Sequence, residues 1–81
     1  MTIQINFYSY FKEHTGCAGT TEDVPRDCKL GELLDAIYAR FPKLSAMRKS
    51  TLVAVGVEYQ DRDYPLKDGD EVSLFPPVQG G

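Results

Sequence analysis

One stretch of the chain, residues 30–41, limits the possible folds more than any other. Its apolar residues recur at offsets 0, +3, +4, +7, +8 and +11, namely Leu30, Leu33, Leu34, Ile37, Tyr38 and Phe41. This spacing places them in one stripe along an α-helix. Pro42 ends the helix, because the residue before a proline avoids helical backbone angles. A helix with a single apolar stripe has to pack on one apolar surface, which the rest of the chain must supply.

Short segments with strand patterns can supply that surface. Residues 2–8 alternate between apolar and polar side chains, as a half-buried strand does. Residues 19–24 form a weaker strand closed by Pro25, and we expect them to pair with the first strand as an antiparallel hairpin. Residues 51–57, TLVAVGV, are apolar on both faces, which is typical of a central strand.

The last strand follows a strong turn signal at Asp68-Gly69. It is recognised by Val72 and Leu74, which alternate with polar neighbours. The chain therefore reads as strand, strand, helix, strand, short strand or turn, and strand. This order predicts an α+β protein in which a small mixed sheet packs on one main helix. If the first and last strands are neighbours in the sheet centre, the fold is the ubiquitin-like β-grasp.

Size and charge restrict the function. A chain of 81 residues makes one domain with little room for an internal active-site cavity. Aliphatic and aromatic residues make up 42%, which is too much for a disordered segment, and the net charge of −3 argues against nucleic-acid binding. No apolar run reaches the roughly 18 residues that cross a bilayer. The first residues lack a secretory pattern, so we expect a cytoplasmic protein.

The residues that usually carry chemistry form no recognisable set. Cys17 and Cys28 lie too far apart in sequence for a metal-binding pair, and we interpret them as free thiols. His14 is alone, so no ligand set is completed and no metal is expected. The acidic residues between positions 61 and 71 are interpreted as a solvated turn. We therefore expect neither a bound cofactor nor an independent catalytic site.

The C-terminal residues FPPVQGG are the exception. Pro76 and Pro77 have no backbone donor and fix φ, so they hold the chain extended as it leaves the last strand. Gly80 and Gly81 carry no side chain, so the tail is narrow and its terminal carboxylate is accessible to a partner's tunnel. We expect residues 1–75 to form the domain and residues 76–81 a flexible tail. From the residues alone, this segment is interpreted equally well as a functional tail or as an ordinary frayed chain end.

The segment LKDGDEVSLFPPVQGG resembles the C-terminal signature of the MoaD-type sulfur carriers, the small subunits of molybdopterin synthase in the MoaD/ThiS family. The matching residues are Leu66, Asp68 to Val72, Leu74-Phe75, Pro76-Pro77-Val78 and Gly80-Gly81. The first strand, the helix and the VAV strand also fall where the family places them. The resemblance implies the β-grasp fold and covers nearly the whole chain.

The resemblance also implies a role as sulfur donor. In the family, an ATP-dependent activating enzyme adenylates the C-terminal glycine, which then becomes a thiocarboxylate. The tail enters the large synthase subunit, and its sulfur passes to cyclic pyranopterin monophosphate to form the dithiolene of molybdopterin. On this basis Gly81 carries the sulfur, and Gly80 gives clearance. Pro76, Pro77 and Val78 hold the tail extended, and Phe75 makes an apolar contact with the partner.

Two departures from the family pattern leave the pathway open. Gly56 stands where the family often has Asn, and Lys29 replaces the usual Ser or Thr helix cap. The alternatives are a carrier for thiamine thiazole or tRNA thiolation, a ubiquitin-like protein modifier, and an adaptor domain without terminal chemistry.

Overall fold

A five-stranded mixed sheet and one main helix make up the part of the chain that the computed structural model describes, residues 1–77. The elements, in chain order, are β1 (Thr2–Phe7), α1 (Phe11–Thr15), β2 (Gly19–Asp23), α2 (Leu30–Arg40), α3 (Pro42–Ser45), β3 (Leu52–Val55), β4 (Glu58–Tyr59) and β5 (Glu71–Phe75). No helix among these residues is both long and apolar enough to span a membrane.

The strands lie in the order β2-β1-β5-β3-β4. β1 and β2 form the predicted antiparallel hairpin, and β1 and β5 are parallel neighbours. This arrangement confirms the α+β, β-grasp fold. The expectation that TLVAVGV is the central strand is wrong in detail. β3 is an interior strand with neighbours on both sides, which accounts for its burial, but β5 occupies the middle of the sheet.

The core lies between α2 and one face of the sheet. β1 contributes Ile3, Ile5 and Phe7, which are buried almost completely, and β5 contributes Val72 and Leu74. The predicted helical stripe faces them: Leu30, Leu33, Leu34, Ile37 and Tyr38 are all buried. The alternating patterns in the strands and the stripe in the helix therefore describe two sides of the same interface.

The ends of α2 show how local sequence sets its length. The Glu32 carboxylate accepts a hydrogen bond of 3.0 Å from the Lys29 backbone N–H, which is one half of a capping box. A lysine side chain has no acceptor, so it cannot complete the other half. Phe41 leaves the helical region with φ −125° and ψ 78°, as expected before Pro42. Pro42 then opens the short helix α3, which the sequence patterns did not predict.

The Asp68-Gly69 turn delivers β5 to its place beside β1. Gly69 has φ 84°, in the left-handed region that glycine adopts without strain. The Asp68 carboxylate accepts a hydrogen bond of 2.9 Å from the Thr2 N–H, and the Gly69 N–H donates to the Thr2 carbonyl at 3.1 Å. The turn thus fixes the start of the parallel β1–β5 pairing, on which the direction of the C-terminal segment depends.

Candidate functional site

The middle strand of the sheet leads directly into the C-terminal segment. β5 pairs with β1 on one side up to Leu74, and with β3 on the other side up to Phe75, which lies opposite Leu52. Pro76 and Pro77 follow, and neither has an N–H that could continue these ladders. The chain therefore leaves the sheet at its centre, and β3 pairs with it to the last residue before the prolines.

Phe75 is anchored on the face of the sheet opposite to α2. Its ring stacks on the ring of Tyr8, with centroids 4.7 Å apart and planes inclined by 12°. The Tyr8 N–H donates to the Leu74 carbonyl at 3.2 Å, so backbone and side chain both fix this pair. Ser9 follows at φ 56°, an uncommon angle for a residue other than glycine, and turns the chain from β1 toward α1.

Apolar side chains surround the point where the chain leaves the sheet. We call this surface the exit patch; its members are Tyr8, Leu52, Tyr59, Phe75, Pro76 and Pro77. Tyr8 is 40%, Leu52 36% and Tyr59 68% exposed, although all three are large apolar or aromatic side chains. A cavity of about 410 Å³ opens between Leu52, Tyr59 and the two prolines. Contiguous exposed apolar surface of this kind marks an interaction site.

The other end of the same sheet face is polar. The Asn6 side chain donates to the Glu71 carboxylate at 2.7 Å, and the Gln4 amide donates to the Asn6 side-chain oxygen at 3.2 Å. The Thr2 hydroxyl donates to the Asp23 carboxylate at 2.8 Å. On this face of the sheet, the exposed apolar side chains therefore lie at the end where Pro76 and Pro77 follow β5.

The acidic residues of the turn region and His14, which were considered as metal ligands, contact other residues of the fold. The Asp61 carboxylate accepts from the Asp63 N–H, and the Asp70 carboxylate accepts from the Lys67 N–H, so these acidic residues stabilise turns. His14 lies on α1 with its ring against Tyr10, at 5.6 Å between centroids. Among residues 1–77, no three His, Cys, Asp or Glu side chains are grouped to hold a metal ion.

The predicted site residues fall into two groups. Phe75, Pro76 and Pro77 lie at the exit patch, and Val78, Gly80 and Gly81 lie outside the described residues. Sequence analysis missed Tyr8, Leu52 and Tyr59 as parts of the site. A signal existed for Tyr8, because the alternation in residues 2–8 places this aromatic side chain on the outward, polar face. The proximity of all three residues to Phe75 depends on strand order, which the patterns do not contain.

The strand order, the single main helix and the C-terminal exit define a protein of the ubiquitin-like β-grasp class. Within this class, the chain belongs to the ThiS family, whose profile matches residues 5–81.

Similar proteins cover the full length of the chain. The molybdopterin synthase sulfur carrier subunit of Chlamydomonas reinhardtii is 33% identical over 84 residues, covering 100% of both chains. Among solved structures, one is the complex of subunits 1 and 2 of molybdopterin-converting factor from Helicobacter pylori. One chain of that complex is 32% identical to this chain, with a TM-score of 0.74 and 100% coverage of both chains. H. volcanii small archaeal modifier protein 1 is 26% identical, with a TM-score of 0.86 and coverage of 95% and 98%.

Proposed function

We propose that this protein is the sulfur carrier subunit of a molybdopterin synthase. The observation that carries the proposal is the position of the exit: the central strand ends in Pro76-Pro77 beside an exposed apolar patch. A chain built in this way presents its terminus and a docking surface to the same partner. Similarity over the whole chain to sulfur carrier subunits supports the same function.

The proposed reactive group is the carboxylate of Gly81. It attacks the α-phosphorus of ATP on an activating enzyme, which releases pyrophosphate and leaves an acyl-adenylate. A sulfur nucleophile then replaces AMP at the acyl carbon, and the product is a thiocarboxylate. The large synthase subunit uses its sulfur to convert cyclic pyranopterin monophosphate into the dithiolene of molybdopterin. Glycine at this position leaves the acyl carbon unhindered.

The body of the protein contributes binding rather than catalysis. Tyr8, Leu52 and Phe75 form a rigid apolar anchor, because strand pairing and ring stacking restrict their motion. Anchors of this type provide most of the energy of many interfaces. Gly80 and Val78 would then follow Pro77 into the partner as a narrow extended segment. The catalytic side chains belong to the partners, so this subunit needs no cofactor of its own, and ATP is used by the activating enzyme.

The proposed partners are the large synthase subunit and the ATP-dependent activating enzyme, in the cytoplasm. Neither nucleic acid nor a membrane is part of the proposal, in line with the net charge of −3.

A second candidate is a ubiquitin-like modifier, in which Gly81 is joined to lysines of target proteins. The likeness to the H. volcanii modifier favours it. Both candidates share the acyl-adenylate and differ in the group that receives the acyl carbon. A carrier for thiamine thiazole or tRNA thiolation differs only in the final sulfur acceptor.

Reconstitution tests the proposal. The thiocarboxylated protein is mixed with a large synthase subunit and cyclic pyranopterin monophosphate, and molybdopterin is measured after oxidation to a fluorescent derivative. The proposal predicts molybdopterin formation in proportion to the thiocarboxylate supplied. A protein that is thiocarboxylated and binds the large subunit but yields no molybdopterin would point to another sulfur acceptor. Attachment to lysines would favour the modifier.

A further inference from the structure

The outer edge of β2 is a free strand edge. β2 is the first strand of the sheet, and within residues 1–77 only β1 pairs with it. In an antiparallel pair, alternate residues direct their N–H and C=O groups toward the partner strand and away from it. Ala18 bonds to Phe7 of β1, and Val24 bonds to Met1 just before β1. By the alternation between them, Thr20 and Glu22 also face β1, and the outward-facing residues are Gly19, Thr21 and Asp23. Such outward groups form a template for another strand.

Arg40 covers the middle of this edge. Its guanidinium donates to the Thr21 carbonyl at 3.0 Å and to the Thr20 hydroxyl at 2.9 Å, and it forms an ion pair with Glu22. Thr21 is the central one of the three outward-facing residues. The Arg40 side chain, at the end of α2, therefore donates to the central backbone carbonyl with which an added strand would pair.

The ion pair in this cover is partly open to solvent. The Arg40 side chain is 41% exposed and its Glu22 partner 22%, so solvent screens their attraction. An exposed ion pair of this kind contributes little to folding stability. The backbone groups of the strand beneath it remain correctly placed for pairing when the guanidinium moves away.

We propose that the β2 edge is a docking edge for a second copy of this chain, and that Arg40 keeps it closed. Antiparallel pairing about a two-fold axis at Thr21 places Thr21 opposite its own copy and Glu22 opposite Thr20. Asp23 then lies opposite Gly19, so no two like charges face each other across the new ladder. A Thr–Thr pair is favourable at such a position. The edge is thus complementary to itself, which fits a symmetric dimer with one continuous sheet. This inference does not depend on the proposed function.

Sedimentation equilibrium of single variants tests the proposal. Arg40→Ala opens the edge and should dimerise at least about tenfold more tightly than the unmodified protein. Glu22→Gln removes the ion pair without altering Arg40, and the guanidinium keeps its hydrogen bonds to Thr20 and Thr21, so this variant should dimerise more tightly by a smaller factor. Arg48→Ala is the matched control. Arg48 also pairs with a carboxylate, Asp35, and lies over an aromatic ring, but it is on the other side of α2. It should leave the protein as monomeric as before.

A compensating variant and amide exchange locate the interface. Thr21 is exposed in the monomer, so Thr21→Lys is tolerated there, whereas in the dimer it sets two lysines opposite each other. Adding it to Arg40→Ala should restore the monomer. In the dimer of Arg40→Ala, the amides of Gly19, Thr21 and Asp23 should gain protection from exchange. The proposal is overturned if Arg40→Ala and Glu22→Gln both remain monomeric, if Arg48→Ala dimerises equally, or if Thr21→Lys does not dissociate the dimer.

Discussion

The ring of Tyr8 lies flat on the ring of Phe75, at the end of the central strand and next to Pro76. β1 and β5 are parallel neighbours, so these two residues from opposite ends of the chain are brought together by the fold. The stack fixes the last side chain before the prolines, and the direction of the C-terminal segment therefore depends on a residue near the N-terminus.

Removing the stack should show that the two rings act as a unit. Tyr8→Ala and Phe75→Ala should each lower the free energy of unfolding, and the double variant should lose less than the sum. An aromatic pair of this geometry contributes about 0.5–1.5 kcal/mol beyond its buried area, which is the expected coupling. Chemical denaturation of the four proteins measures it. Strictly additive losses would show that the contact does not stabilise the fold.

The exit patch should bind the large subunit of the synthase. Leu52→Asp places a charge in the patch and should weaken that binding by roughly 1–3 kcal/mol, which is about five- to 150-fold. Val57→Asp is the matched control, because Val57 is 99% exposed in the β3–β4 hairpin loop, at the other end of β3 from Leu52. Isothermal titration calorimetry compares the two. Equal effects of both variants would mean that charge, and not the patch, determines binding.

Gly56 explains one departure from the family pattern. It has φ 63°, and apart from its chain neighbours no heavy atom of the described residues would lie within 4 Å of a Cβ here, so backbone strain is what opposes a side chain. Asn tolerates left-handed angles better than Ala does, so a turn with this backbone angle can accept Gly or Asn. Gly56→Ala should cost about 1–2 kcal/mol of stability. Gly56→Asn should cost clearly less. Thermal unfolding of the two variants at the same pH checks this, and a larger loss of stability for Gly56→Asn than for Gly56→Ala would contradict it.

Cys28 should make stability fall at alkaline pH. Burial raises the pKa of its thiol above the ordinary value of 9.0, and the nearby carboxylates of Glu32 and Asp27 act in the same direction. A raised pKa in the folded state means that the stabilisation is complete below pH 9 and is lost as pH rises through the folded value. Cys28→Ala should flatten this decline in unfolding free energy between pH 9 and 11. An unchanged slope would assign the decline to other groups, such as the buried Tyr38.

The elements were predictable from the sequence because each is defined by a local pattern. The stripe from Leu30 to Phe41 and the alternation in residues 2–8 are periodic signals, and the structure confirms both. The short helix α3 was missed because Pro42 ends one helix and begins the next, and the sequence signal describes only the ending. β3 was placed at the sheet centre because burial on both faces does not distinguish an interior strand from the middle one.

The site was predictable only in part, for a related reason. The residues from Phe75 onward are contiguous, and their composition alone indicated an extended segment. Leu52 and Tyr59 lie on β3 and β4, and Tyr8 directly follows the end of β1, so these residues meet Phe75 only through the pairing order of the sheet. No local pattern contains that order, so the apolar surface beside the exit became visible only in the structure.

The central claim is that the carboxylate of Gly81 is the reactive group, and intact mass spectrometry tests it most directly. The protein is incubated with ATP, an activating enzyme and a sulfur donor, beside a variant lacking Gly81. The account predicts that the full chain gains the mass difference between sulfur and oxygen, while the shortened chain folds with the same melting temperature and keeps its original mass. As a positive control, the same activating enzyme is shown to adenylate its own sulfur carrier in a parallel reaction. If the full chain then forms no acyl-adenylate and retains its mass, the account is contradicted.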